Sequence, residues 1–207
     1  MVSAASPTAP SAAAVRSETA PGPARRRDAE SGRAHRLLLA SALAAAVVPL
    51  LAVLDDPDLW WHLRVGQWIL DHHAVPRTEL FSYTAAGNPV TYHEWGSEVL
   101  FAVLNGAGGL LLLTLVTCVL AWSGLVALAM RAHDRGAPLP AIAVSILLGA
   151  KVLQTVAGPR PQMLGFALTC WVLLVAERYL LRGGRLVWLL PALLLVWANV
   201  HGGFIYG

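Results

Sequence analysis

Five stretches of this chain are almost purely apolar, at 37–54, 109–130, 141–157, 163–181 and 186–200. Crossing the ~30 Å of hydrocarbon in a bilayer takes a helix of about 20 such residues. The first run is near that minimum. The third is shorter and carries Lys151 and Gln154, and the last stops at His201-Gly202-Gly203. Composition agrees: 57% of the residues are hydrophobic and 13% charged, where a soluble domain carries about a quarter charged. A soluble fold of 207 residues could not bury so much leucine, valine and alanine. The expected fold is therefore an all-α integral membrane protein with about five transmembrane helices. A cleaved signal peptide is the rival reading of 37–54; the long segment before it and the four runs after it favour an uncleaved first span.

Residues 1–34 are rich in Ala, Ser, Pro and Arg, lack aromatics and show no apolar period. Such a stretch cannot bury enough surface to offset its ordering entropy, which predicts a disordered tail. The net charge of +3 does not point to nucleic acid, because the cations lie in short clusters beside apolar runs rather than on one basic face. Cys118 and Cys170 fall inside apolar runs, where thiols behave as small hydrophobes.

Between the first two runs the composition changes. Residues 55–107 hold Asp55, Asp56, Asp58, Asp71, Glu79, Glu94 and Glu98 with His62, His72, His73 and His93. The apolar residues of 59–70 recur near the helical period and predict a short amphipathic helix. Pro76 and Ala86-Gly87-Asn88-Pro89 break the chain. A second amphipathic helix is expected over 93–104, ending near Asn105-Gly106.

Arginine placement predicts the orientation. Arg25, Arg26, Arg27, Arg33 and Arg36 precede the first run. Arg131 and Arg135 lie between the second and third, and Arg178, Arg182 and Arg185 between the fourth and fifth. Five spans put all three clusters on one side, which the positive-inside rule makes cytoplasmic, with a cytoplasmic N-terminus. The 55–107 segment, the 158–162 turn and His201 then share the outer face.

That face gathers Asp55, Asp56, Asp58, His93, Glu94, Arg160, Gln162 and His201, with Lys151 and Gln154 in the outer half of the third run. An ionisable residue within a span is a functional candidate by default. Carboxylates beside cations at a membrane surface suit chemistry on an anionic lipid head. Arg160 and Lys151 suit a phosphate, an aspartate suits a general base, and a divalent cation could bridge carboxylate and phosphate oxygens. Plainer roles are open to each residue: Asp58 as a helix cap, Lys151 snorkelling, the loop tryptophans as interface anchors, and His72-His73 as solvated loop. His62 and His93 lack close metal-ligand spacing.

The stretch Asp55-Asp56-Pro57-Asp58-Leu59-Trp60-Trp61-His62-Leu63-Arg64-Val65-Gly66-Gln67-Trp68-Ile69-Leu70 resembles the first outer loop of bacterial GT-C superfamily membrane glycosyltransferases, of the dolichyl-phosphate-mannose-protein mannosyltransferase-like kind. So do Val75-Pro76-Arg77-Thr78, Phe81-Ser82-Tyr83-Thr84, His93-Glu94-Trp95, Arg160-Pro161-Gln162 and Asn199-Val200-His201-Gly202-Gly203. The resemblance covers about 37–207. It implies a GT-C-like transmembrane module over 35–207, a catalytic aspartate in the first outer loop, and two helices lying along the membrane beside it. It also implies a polyprenyl-phosphate sugar donor and an extracytoplasmic acceptor, glycan or protein, at the bacterial plasma membrane. On this chain the acidic motif falls on Asp55, Asp56 and Asp58, with Asp55 or Asp56 as general base or metal-side carboxylate, the metal being Mg or Mn. His93, Glu94, Lys151, Arg160, Gln162 and His201 are the expected substrate contacts. Members of the group have more spans than five, so the chain is expected to be the N-terminal part of such a module. The alternative is a non-catalytic membrane protein, either a transporter subunit or a scaffold in envelope polysaccharide assembly.

Overall fold

The computed structural model describes residues 23–51 and 56–206, with side chains from Glu30 onward. The chain divides into two units, Met1–Ala34 and His35–Gly207. In the first, the described residues are helical from Pro23, the start of α1 (Pro23–Ala45). The expected disordered tail thus turns helical well before the first apolar run, while 1–22 lie outside the described residues. Alanine, arginine and glutamate are good helix formers, and extending an existing helix avoids the cost of a new nucleus. Pro49 lies in α2 (Val47–Leu50); its ring conflicts with the carbonyl four residues earlier, and the two helices part at Ala46.

The second unit is helical, and its described residues contain no strand, only a single antiparallel bridge between Thr78 and Pro89. Its helices are α3 (Asp58–His72), α4 (Trp95–Asp134), α5 (Leu139–Leu153), α6 (Pro161–Arg182) and α7 (Leu190–Val200), with 3-10 turns at Arg185–Leu189 and Gly202–Tyr206. Among the described residues, three helical stretches are long and apolar enough to cross a membrane: Glu30–Leu50, Trp95–Asp134 and Pro161–Arg182. The other two expected spans form shorter apolar helices, Leu139–Leu153 and Arg185–Val200. The 141–157 run loses its helix after Leu153, before the Gly158-Pro159 stop.

The expected break after the second loop helix lies further on than Asn105-Gly106. Helical geometry fails at Gly108 and Gly109, where Gly109 has φ 66° and ψ −168°. That backbone is open only to a residue without Cβ, so α4 consists of an initial segment beside the loop and a long apolar segment.

A main core forms where Leu125, Ala129, Ile142, Ile146 and Met163 pack together with Leu50. A second gathers Leu59, Phe101, Leu113, Leu164 and Trp197. The loop after α3 folds back on it: Phe81 meets Trp61 edge-on at 5.4 Å, and Val90 and Tyr92 cover Val65 and Ile69. Contact between α3 and α4 is closest at Gly66, where a Cβ would stand 2.0 Å from the Glu98 carbonyl oxygen. Since that neighbour is backbone, Gly66→Ala forces the helices apart. It is expected to cost about 1–3 kcal/mol and to lower the thermal unfolding midpoint of the detergent-solubilised protein. Gly149→Ala is the control, since the nearest atom to its new methyl is 3.8 Å away, and it should leave the midpoint unchanged or raise it.

Candidate functional site

Polar side chains collect at the end of the bundle where α3, α4 and α6 begin and α7 finishes. Asp56 precedes α3 and its carboxylate serves two donors. Oδ1 accepts the Asp58 backbone N–H at 3.1 Å, a cap on the first turn. Oδ2 takes the Nε of Arg160 at 2.7 Å, with the Asp56 side chain only 8% exposed. Arg160 occupies the position before α6 in extended conformation, and Pro161 is the first helical residue, where its missing N–H costs nothing. The extended backbone before a proline therefore sets Arg160 at the helix mouth.

A second group centres on Glu94. The Nε2 atoms of His93 and His201 lie 3.7 and 3.8 Å from the same carboxylate oxygen, Oε1. These are electrostatic contacts rather than hydrogen bonds. Nδ1 of His201 accepts the Gly203 N–H at 3.1 Å, so in the neutral ring the proton sits on Nε2, toward Glu94. The ring packs against α6 at Gly165, where a Cβ would lie 2.5 Å from Nδ1. From Arg160 to Gly165 the helix rises about 7 Å, which brings the two groups close along α6.

The start of α4 is tied to the end of α7 just after Glu94. Ser97, fully buried, donates to the carbonyls of Glu94 at 2.8 Å and Val200 at 2.7 Å. Trp95 Nε1 donates to Asn199 Oδ1 at 3.0 Å, so this expected interface anchor also holds a helix end.

A third contact joins α3 and α4: His62 Nδ1 lies 3.3 Å from Glu98 Oε1, with side chains 13% and 4% exposed. Glu98 Oε2 is buried without a partner among the described residues. Sequence reading passed over this pair, although a signal exists. His62 and Gly66 are four residues apart on one face of α3, and Glu94 and Glu98 are four apart on α4. Nearby, burial and then the Glu79 carboxylate raise the Tyr92 hydroxyl above its ordinary value, keeping it a proton donor.

The remaining expected residues are placed differently. Asp55 lies outside the described residues. Asp58 is exposed, and its backbone, not its carboxylate, meets Asp56. Gln162 is exposed in the first turn of α6. Lys151 donates to Gln154 Oε1 at 2.6 Å near the end of α5, and no bond among the described residues links that pair to Asp56 or Glu94. Of the expected contacts, Asp56 meets Arg160 and Glu94 meets His93 and His201.

A divalent cation fits the described residues poorly. No three His, Cys, Asp or Glu side chains among them form a set able to hold an ion, and beside Asp56 the positive charge is already supplied by Arg160.

Comparison with family models, with curated proteins and with solved structures finds no match to this chain.

Asp56 and Arg160 should be energetically coupled. With one partner buried and the other a third exposed, the coupling falls between surface and buried pairs, about 1–3 kcal/mol. A double-mutant cycle with Asp56→Asn and Arg160→Gln, read by denaturant unfolding in detergent, measures it. Additive effects of the two substitutions would show that the contact contributes nothing.

Proposed function

We propose that this chain is a membrane glycosyltransferase of the GT-C type, or its N-terminal module. It moves a sugar from a polyprenyl-phosphate donor to an extracytoplasmic acceptor at the bacterial plasma membrane. In this reading α5 and the Arg185–Val200 segment also cross the bilayer, α3 and the start of α4 lie along its outer surface, and the N-terminus is cytoplasmic.

The observation that carries the proposal is the 2.7 Å contact of Asp56 with Arg160. It places a carboxylate suited to proton abstraction beside a guanidinium suited to phosphate, at the surface end of an apolar bundle. The acceptor hydroxyl attacks the anomeric carbon of the donor. A new C–O glycosidic bond forms, the bond from that carbon to the phosphate oxygen breaks, and polyprenyl phosphate leaves. The hydroxyl proton passes to Asp56 as general base, while Arg160 balances the charge growing on the departing phosphate. His201, oriented by the Gly203 N–H and facing Glu94, contributes an N–H donor at the same mouth.

The non-catalytic alternative, a transporter subunit or assembly scaffold, is favoured by the fact that Asp56, Glu94 and Glu98 each have a partner within the chain. Transfer from polyprenyl-phosphate mannose, assayed in membranes bearing the full-length protein, separates the two. Asp56→Asn should reduce transfer by about 10²–10⁴-fold, the usual worth of a positioned base, and Asp58→Asn should leave it within a few fold. Undiminished transfer by the Asp56→Asn protein would refute the assignment, and no transfer by the unmodified protein would favour the alternative.

A further inference from the structure

The opposite end of the bundle holds a cavity of about 460 Å³ between α4 and α5, within the roughly 300–1,000 Å³ of ligand pockets. These helices form a hairpin joined by the short turn at 135–138. The cavity's lining runs from Arg135 and Ala137 at that turn to Leu125 and Gly149, which face one another. Its walls include Ile142 and Ser145, and its only charged lining residues are Arg131 and Arg135. From Leu125 to Arg135 the trough runs about 15 Å at 1.5 Å per residue, apolar at the Leu125 end and cationic at the Arg135 end.

The cations are only partly satisfied. Arg131 and Arg135 both pair with the single carboxylate of Glu177 on α6. Together they offer about ten N–H donors against about four acceptor sites. One turn away Arg178 and Arg182 share Asp134 in the same way, at 2.6 and 3.1 Å, so cations exceed anions two to one among these six side chains. An apolar trough ending in surplus guanidinium matches a molecule with an acyl chain and a phosphate head.

We propose that the α4–α5 cavity binds an anionic phospholipid, one acyl chain lying between Leu125 and Ile142 and the phosphate meeting Arg131 and Arg135. This site is independent of sugar transfer and lies at the other end of α4 from Asp56. A guanidinium suits phosphate better than the point charge of an ammonium, because its planar fork bonds two oxygens at once. The exposed position of Arg135 leaves it free to turn from Glu177 to the lipid.

The test uses the full chain purified in mild detergent and titrated with phosphatidylglycerol or phosphatidylcholine bearing identical acyl chains. Native mass spectrometry counts retained lipid. Phosphatidylglycerol should be retained at one per chain and about tenfold or more tightly than phosphatidylcholine, as two basic residues at an anionic head predict. Arg135→Gln, which leaves Arg131 on Glu177, should weaken phosphatidylglycerol about fivefold. Gly149→Leu, which fills the apolar end, should abolish retention of both lipids; should it fail to fold, Ser145→Leu, also in the lining, fills the same cavity. Equal retention of the two lipids, retention unchanged by the cavity-filling substitution, or a lipid-free dimer would overturn the proposal.

Discussion

In hydrocarbon every peptide N–H and C=O must be satisfied without water, and the polar side chains of this chain are arranged around that demand. Those inside the apolar helices bond back to their own backbone: Thr114 to the Leu110 carbonyl at 2.8 Å, Thr117 to Leu113 at 3.0 Å, Thr169 to Gly165 at 2.7 Å. The indoles of Trp122 and Trp171 find the Leu43 carbonyl at 2.8 Å and the Ser123 hydroxyl at 3.2 Å. These bonds leave the middle of the bundle to apolar packing. Charged pairs are confined to the ends, with Asp56–Arg160, Glu94–His201 and His62–Glu98 at one and Arg131, Arg135, Arg178 and Arg182 with their two carboxylates at the other.

Because α4 and α6 contribute to both groups, they run in the same direction through the bundle. What differs is how the ends are closed. One end closes through the tight hairpin of α4 and α5. At the other, α3 lies on α4 so closely that only glycine fits at position 66, and the loop after α3 covers it. That close approach brings His62 to Glu98 and fixes the path by which the chain enters α3, and hence where Asp56 stands before Arg160.

Run length and period locate the helices well where one mechanism dominates. The expected 59–70 and 163–181 helices extend to 58–72 and 161–182, since a proline at the first helical position marks the start of α6 and apolar spacing marks α3. They locate them poorly where two mechanisms compete. Asn105-Gly106 reads as a stop, but its backbone remains helical, and the break falls at Gly108–Gly109, where the conformation itself requires glycine. The arginine-rich tail reads as disordered by composition; its described part, from Pro23, is helical and continuous with the first apolar run. At the site, residue types are legible and partners are not. Asp56 is buried on Arg160 and Asp58 is exposed, a difference set by a contact between distant segments. Lys151 looks like a site cation, but the end of α5 turns it to Gln154 instead.

The pairing of Asp56 with Arg160 bears on the proposed chemistry in a specific way. The Arg160 guanidinium presents five N–H donors in a planar fork, so it is not used up by one carboxylate. An incoming donor phosphate competes for the same fork. As phosphate takes Arg160, the Asp56 carboxylate loses its partner and is left to meet the acceptor hydroxyl that must lose its proton. With the Asp56 side chain nearly buried, that exchange occurs where water screens little, so it carries more energy than at an exposed pair. In the proposed transfer the ion pair is therefore the resting form of the site, and donor binding converts it into the reactive one.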